Sequence, residues 1–317
     1  MSAKDQTRSD INFALAPVTR EGLGRGMSSE SRPWLALLWM LGASLSFAAM
    51  AVAGRELSVS MNTFELMFYR SIIGFAIICL VLMRSRQGFG QVKTRHIGSH
   101  IRRNVVHFTA QNLWFFGVAV IPLSQLVALE FTNPIWVALL APVMLAEPMT
   151  KRRILAASIG FAGVLIVARP GVAPLELGHA AGLGAAIGFA LNTIFTKRIM
   201  RHDKVLCVLF WMTLMQTCFG FALSLPGGIP AITQSSAPWI ILVALCGLSA
   251  HYCLTSALAA APASIVSPME FIRLPIVASL GALVYAERIE IAVLVGAAVI
   301  VAGNLVNLSG EKPSRAN

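Results

Sequence analysis

Five ionisable side chains, Glu65, Arg70, Glu130, Glu270 and Arg273, lie inside long apolar stretches of the chain. A charge near the centre of a bilayer costs at least about 2.5–3.5 kcal/mol on insertion scales, so each one there needs a partner, a watery cavity or a function. Arg273 follows Glu270 by three positions, which places both on one side of a helix. Its planar guanidinium suits either a clamp on a substrate carboxylate or phosphate, or an internal salt bridge to Glu270. Glu130 and Glu270 each sit about 9 Å into their runs from opposite ends, at 1.5 Å per residue. They are therefore expected to bracket the midplane and to line the two halves of one translocation path, with pairing to Arg70 or Arg273 as the purely structural alternative. A carboxyl in low dielectric favours its protonated form, so coupling to protons is the chemistry this pair would supply.

A second constellation is the stripe His107, Gln111, Asn112 and Trp114, in which 107 and 111, and 111 and 114, are helical neighbours. Such a polar and aromatic stripe suits a planar or amide-bearing ligand. In the preceding run Glu65 lies about 6 Å and Arg70 about 13 Å from the outer end, and Arg70 is expected to be structural. Pro134 and Pro275 come a few residues after Glu130 and Glu270; a proline inside a helix removes a hydrogen bond and kinks the rod, for gating or for packing. Asn133, Asn192, Gln216, His251 and Tyr252 are isolated and read as interhelical hydrogen-bond formers. Glu147 and Glu287 end their runs and read as capping or loop residues.

The elements that must hold these groups follow from composition. Of 317 residues, 56% are hydrophobic and only 12% charged, too few charges to cover a water-soluble fold. From Val205 to Met269 no Asp, Glu, Lys or Arg occurs, a stretch long enough for three crossings at roughly 20 residues each. Breaking the apolar runs at charges, Pro and Gly clusters predicts helices over Pro33–Gly54, Asn62–Met83, Arg102–Ile121, Ser124–Ala146, Lys151–Ala168, Ala180–Lys197, Val205–Leu225, Pro238–Ala260, Ala263–Ala286 and Ile291–Leu308. The segment 1–32 reads as a disordered cytoplasmic tail, with Met27 a candidate start, and 309–317 as a second cytoplasmic tail.

The net charge of +11 raises the question of nucleic acid, but the basic residues fall between apolar runs and not on an aromatic-laced polar face, which excludes that partner. With a cytoplasmic N-terminus, 20 Lys and Arg lie inside, only Arg55, Arg169 and Arg288 outside, and Arg70 and Arg273 within the membrane, which completes the 25. This is a strong positive-inside bias and puts both ends in the cytoplasm. The five cysteines lie within apolar runs without paired spacing, so neither a disulfide framework nor a metal site is expected. No Walker-type loop, G-x-S-x-G or H-E-x-x-H occurs, which argues against ATP use and against a membrane-embedded enzyme, and no cofactor is expected.

The chain also echoes itself. Leu41-Gly42-Ala43 and Phe47-Ala48 return in the second half, at one common offset, as Leu183-Gly184-Ala185 and Phe189-Ala190. From Ser124 to Leu165, 12 of 42 positions are identical to their counterparts from Ser264 to Leu305, including Glu130-Phe131 with Glu270-Phe271 and Ala146-Glu147 with Ala286-Glu287. Five crossings per half is an odd number, so the second half enters the membrane inverted, the arrangement of many secondary transporters. Over roughly residues 34–308 the chain resembles the drug/metabolite transporter superfamily, specifically proteins with two EamA domains. The resemblance is carried by Arg70, Pro134, Ala146-Glu147, the Gly160 to Gly163 step, and Pro275, Ala286-Glu287 and Gly303. It implies a helical bundle with a central cavity lined by predicted helices 1, 3, 4, 6, 8 and 9, and no particular substrate.

The expectation is thus an all-α integral membrane protein of ten transmembrane helices, with repeats over 33–169 and 180–308. Its expected function is secondary transport of a small organic metabolite across the cytoplasmic membrane by alternating access, as a monomer or homodimer, with protons as candidate coupling ion. A lipid-head-group flippase of the same fold is the alternative.

Overall fold

The computed structural model describes residues 32–145, 151–168, 176–228, 231–261, 266, 269–270, 273–288 and 290–308. The two expected tails, apart from Arg32, and Glu147 lie outside the described residues. Among the described residues the chain is helical throughout, without strands. The helices are α1 (Pro33–Leu57), α2 (Thr63–Arg84), α3 (Ile97–Val120), α4 (Leu123–Glu130), α5 (Asn133–Leu145), α6 (Lys151–Ala168), α7 (Leu177–Ile199), α8 (Val205–Ser224), α9 (Ala237–Ala260), α10 (Arg273–Tyr285) and α11 (Ile291–Leu308).

Among the described residues, six stretches are long and apolar enough to cross a membrane: Trp34–Leu57, Thr63–Arg84, Leu123–Leu140, Leu177–Ile199, Val205–Gly227 and Ala237–Ala260. α3 is not among them, because His100, Arg102, Arg103, Asn104, His107 and Gln111 dilute its apolar character. Most of those polar groups turn inward; His100, Arg103, Asn104, His107 and Gln111 are all at most 1% exposed. Leu38, Leu45, Leu245 and Leu294 instead face outward, giving the bundle the apolar exterior that a bilayer requires.

The start of α3 differs from expectation. α3 begins at Ile97 and not at Arg102, the expected start, and Arg103 is buried within the bundle. There it donates to Thr196 Oγ1 at 3.2 Å and Asn104 Oδ1 at 2.7 Å. At the start of α2, the Asn62 side chain accepts from the Phe64 and Glu65 backbone N–H groups while Glu65 Oε2 accepts from Asn62 N at 2.8 Å. This reciprocal capping box engages the Glu65 carboxylate at the start of the helix.

The largest departure is in the fourth predicted helix, which breaks at Phe131-Thr132 into α4 and α5. Pro134 therefore does not kink a continuous rod. It occupies the first turn of α5, where a missing N–H costs no helix hydrogen bond, and it disfavours the helical conformation at Asn133. Thr132 covers the restart: its backbone oxygen accepts from Ile135 and Trp136 N, and its Oγ1 accepts from the Trp136 indole at 3.1 Å. Pro275 lies within α10.

The helices pack in pairs: α1 on α9, α3 on α7, α2 on α8 and α6 on α11. Replacing each helix by its repeat mate turns α1/α9 into α7/α3, and returns α2/α8 and α6/α11 to themselves. α1 and α9 run antiparallel, since Arg32 N donates to Ala260 O at 3.0 Å. α6 and α11 approach through glycine: a Cβ on Gly163 would come within 2.7 Å of Gly296 O, and one on Gly296 within 2.8 Å of Gly163 O.

Candidate functional site

The broken α4–α5 connection and the start of α10 meet in the middle of the bundle. They line one side of a cavity. α1 contributes Phe47 and Met50, α3 His107, Gln111 and Trp114, α7 Phe189, Asn192 and Thr193, and α9 His251 and Leu254; Glu130, Asn133, Glu270 and Arg273 complete it. These are the predicted helices 1, 3, 4, 6, 8 and 9 that the resemblance implied.

Glu130, Glu270 and Arg273 are 5%, 8% and 3% exposed, so their charges are satisfied within the protein. Arg273 Nη2 lies 2.5 Å from Glu130 Oε1, and the Trp114 indole donates to Glu130 Oε2 at 2.8 Å. Arg273 thus pairs across the repeats with Glu130, and not with Glu270 on its own side of the chain. Asn133 and Glu270 both line the cavity. Asn133 and Arg273 are repeat mates at the same offset as Glu130 and Glu270. The repeat exchange therefore maps Asn133 and Glu270 onto Arg273 and Glu130. Phe47 and Phe131 flank the guanidinium at 5.1 and 6.0 Å from their ring centroids, within cation–π range.

Gln111 and His251, repeat mates at that same offset, touch directly at 3.3 Å. Gln111 additionally accepts from Arg70 Nη1 at 2.7 Å. Arg70 does not pair with a carboxylate among the described residues, contrary to one of the alternatives above. A Cβ on Gly247 would fall on its guanidinium, so glycine is what lets Arg70 lie against α9. His107 stacks edge-on against His251 with ring centroids 4.6 Å apart, and Gln216 reaches His107 Nδ1. A polar relay thus runs behind the cavity through α2, α3, α8 and α9.

Of the expected stripe, His107, Gln111 and Trp114 line the cavity and Asn112 does not. Asn112 is turned about 100° from Gln111 around the helix and donates to Phe108 O of its own helix at 2.8 Å. Asn133, Asn192 and His251, expected only to join helices, line the cavity as well. Tyr252 points away, 39% exposed and edge-on to Trp39. Phe47 and Phe189 belong to the internal echo, and that echo is the sequence signal for their place in the lining. Several lining residues carry buried polar atoms without a hydrogen-bond partner among the described residues: Arg273 Nε, Asn133 Oδ1, Asn192 Oδ1 and His107 Nε2. An orphaned buried donor or acceptor costs about 1–3 kcal/mol.

Glu287 is not a simple cap. It pairs with Arg55 at the end of α1 and accepts from Leu123 N at the start of α4 at 3.1–3.2 Å. On the opposite face, His100 Nε2 and Thr94 Oγ1 both contact Asp203 Oδ2, at 2.9 and 2.7 Å, with Cys207 within 4.8 Å of the His–Asp pair. Asp203 and Cys207 are one helical turn apart, and His100 joins them from α3. The Cys207 thiol is directed at Val92 O, and the group ties the α2–α3 connection to the α7–α8 turn.

The model of the EamA-like transporter family matches residues 34–169 and again 176–309. A riboflavin transporter of Brucella anthropi is 29% identical over 244 residues, covering 75% of this chain and 85% of that protein. An S-adenosylmethionine uptake transporter of Rickettsia bellii is 23% identical over 277 residues, covering 86% and 93%. A protein of known crystal structure superimposes with a TM-score of 0.63 at 16% identity, over 86% of this chain and 96% of the other, and shares its fold.

Proposed function

Because the chain belongs to the EamA-like transporter family, a multi-pass membrane family whose model matches it twice, we propose that it is a secondary active carrier of a small organic metabolite, working by alternating access. Its substrate occupies the cavity between the α4–α5 break and the start of α10. Glu130, Glu270, Arg273, Gln111, Trp114 and His107 contact or couple to that substrate, and Asn133 and Asn192 join them. The observation that carries this reading is the cavity itself: polar groups with unmet hydrogen bonds, buried at a break in a helix between two repeat-related halves. Irregular backbone at membrane depth is tolerated where it lines a cavity, and transporters place their substrate sites there.

The reading takes the bundle as ten crossings in two inverted five-helix halves, with both termini on the cytoplasmic side of the cytoplasmic membrane. The exchange of α1/α9 with α7/α3 supports the two-fold relation, and the 20 to 3 distribution of Lys and Arg supports the orientation. Protons are the proposed coupling ion, through Glu130 and Glu270. Riboflavin and S-adenosylmethionine, the substrates named for its relatives, lead the candidates; both present a planar ring system to the aromatic walls of Phe47, Trp114 and Phe189.

The test is uptake of a labelled metabolite panel, headed by these two compounds, into proteoliposomes with and without a pH gradient. Saturable accumulation of at least one compound is expected. Proton coupling is lost as an account if Glu130→Gln and Glu270→Gln both transport at the wild-type rate with unchanged dependence on the gradient.

A further inference from the structure

Two cations at opposite ends of the bundle make the same contact. Arg55, near the end of α1, donates from Nε to Val118 O at 2.8 Å and from Nη2 to Ile121 O at 2.5 Å, at the C-terminal end of α3. Lys197, near the end of α7, donates from Nζ to Leu258 O at 2.7 Å and Ala261 O at 2.9 Å, at the C-terminal end of α9. Lys197 follows Arg55 at the offset that relates Leu183 to Leu41. Leu258 and Ala261 follow Val118 and Ile121 at the offset that relates Glu270 to Glu130. These are the offsets of the internal echo, so one latch is the repeat image of the other.

The last carbonyls of a helix have no partner within it and carry the negative end of its dipole, which makes them natural acceptors for a cation. The pairing also has a geometric consequence. Arg55 belongs to the α1/α9 pair and grips the α3/α7 pair; Lys197 belongs to α3/α7 and grips α1/α9. Since α1 and α9 are antiparallel and Lys197 grips the end of α9 that lies beside the start of α1, the two grips are separated by nearly the length of α1, roughly 30 Å at 1.5 Å per residue. The cavity lies between the same two helix pairs, midway between the grips.

We propose that Arg55 and Lys197 are the positioning residues of the transport cycle, each holding the two helix pairs together at one face. Releasing one while keeping the other rocks the pairs apart on one side only. Both grips are made here. On the Arg55 face the grip is reinforced by Glu287, which pairs with Arg55 and holds the start of α4. This inference rests on the alternating-access reading, but its test needs no substrate.

A reporter Thr193→Cys is placed in the cavity of a chain whose five native cysteines are changed to alanine, and its labelling by a membrane-impermeant thiol reagent is measured in vesicles of each orientation. Arg55→Gln is expected to raise labelling from the Arg55 face relative to the other by roughly tenfold, the equivalent of losing one charge-assisted hydrogen bond. Lys197→Gln is expected to shift the ratio by a similar factor in the opposite direction, the double variant to bring it back toward the parent value, and Arg55→Lys to keep it near the parent value. A merely structural role would lower stability in both variants and leave the ratio unmoved, and that result overturns the proposal. Ratios that shift in opposite directions in a chain that accumulates no metabolite would sustain the latches and sink the carrier reading instead. Should Arg55→Gln fail to fold, Lys197→Gln alone decides by the sign of its shift.

Discussion

Arg273 is the residue on which most of the buried electrostatics turns. It neutralises Glu130, is flanked by two aromatic rings, and leaves Nε without a partner among the described residues. Removing one member of a buried ion pair leaves the other uncompensated, at a cost of about 3–5 kcal/mol. Arg273→Gln is therefore expected to lower thermal stability in detergent by that order, and adding Glu130→Gln to return most of it. Strictly additive losses in the double variant would show that the two side chains do not depend on each other. The sequence places both residues in the membrane, and weighs Arg273 against Glu270 because three positions is helical neighbour spacing. Spacing along the chain does not decide the pairing here, because the guanidinium reaches the Glu130 carboxylate across the cavity. The same reasoning misplaces Asn112, whose neighbour Gln111 faces inward while it turns back on its own helix. Arg55 and Lys197 read from sequence only as loop charges. Their separation by the echo offset is the signal that could have found them.

At the scale of elements, apolar length predicts nearly every helix to within a few residues, because a bilayer-length run of apolar side chains has few other folds open to it. The break between α4 and α5 is not legible in the same way. Proline in an apolar run is compatible with a kink, a break or a helix start, and hydropathy is the same for all three. The pairing of α6 with α11 is a property of small residues, where close backbone approach replaces side-chain volume. Gly163→Val is expected to cost on the order of 1–3 kcal/mol, since its Cβ would press on Ile300 and the Gly296 carbonyl. Ala162→Val on the exposed side of the same helix should leave unfolding unchanged. Equal unfolding midpoints for the two variants would mean that the glycine contact does not hold the halves together.

For the whole molecule, the internal echo carries more than any single motif. It joins Glu130 to Glu270, Gln111 to His251 and Phe47 to Phe189, all of which the fold brings to one cavity, and it relates Arg55 to Lys197 at opposite ends. Composition and charge distribution indicate that the chain lives in a membrane; on the proposed reading, the repeat accounts for a site in its middle that either half can open. Such a cavity must be reachable from both faces in turn. The most direct measurement is the labelling of Thr193→Cys by an impermeant thiol reagent, in the chain without its native cysteines but with both latches intact, from each side of the membrane, with and without a transported substrate. The account predicts labelling from both sides, with protection on both when substrate is bound. Labelling from one side only, unaffected by any substrate that the protein accumulates, would contradict it.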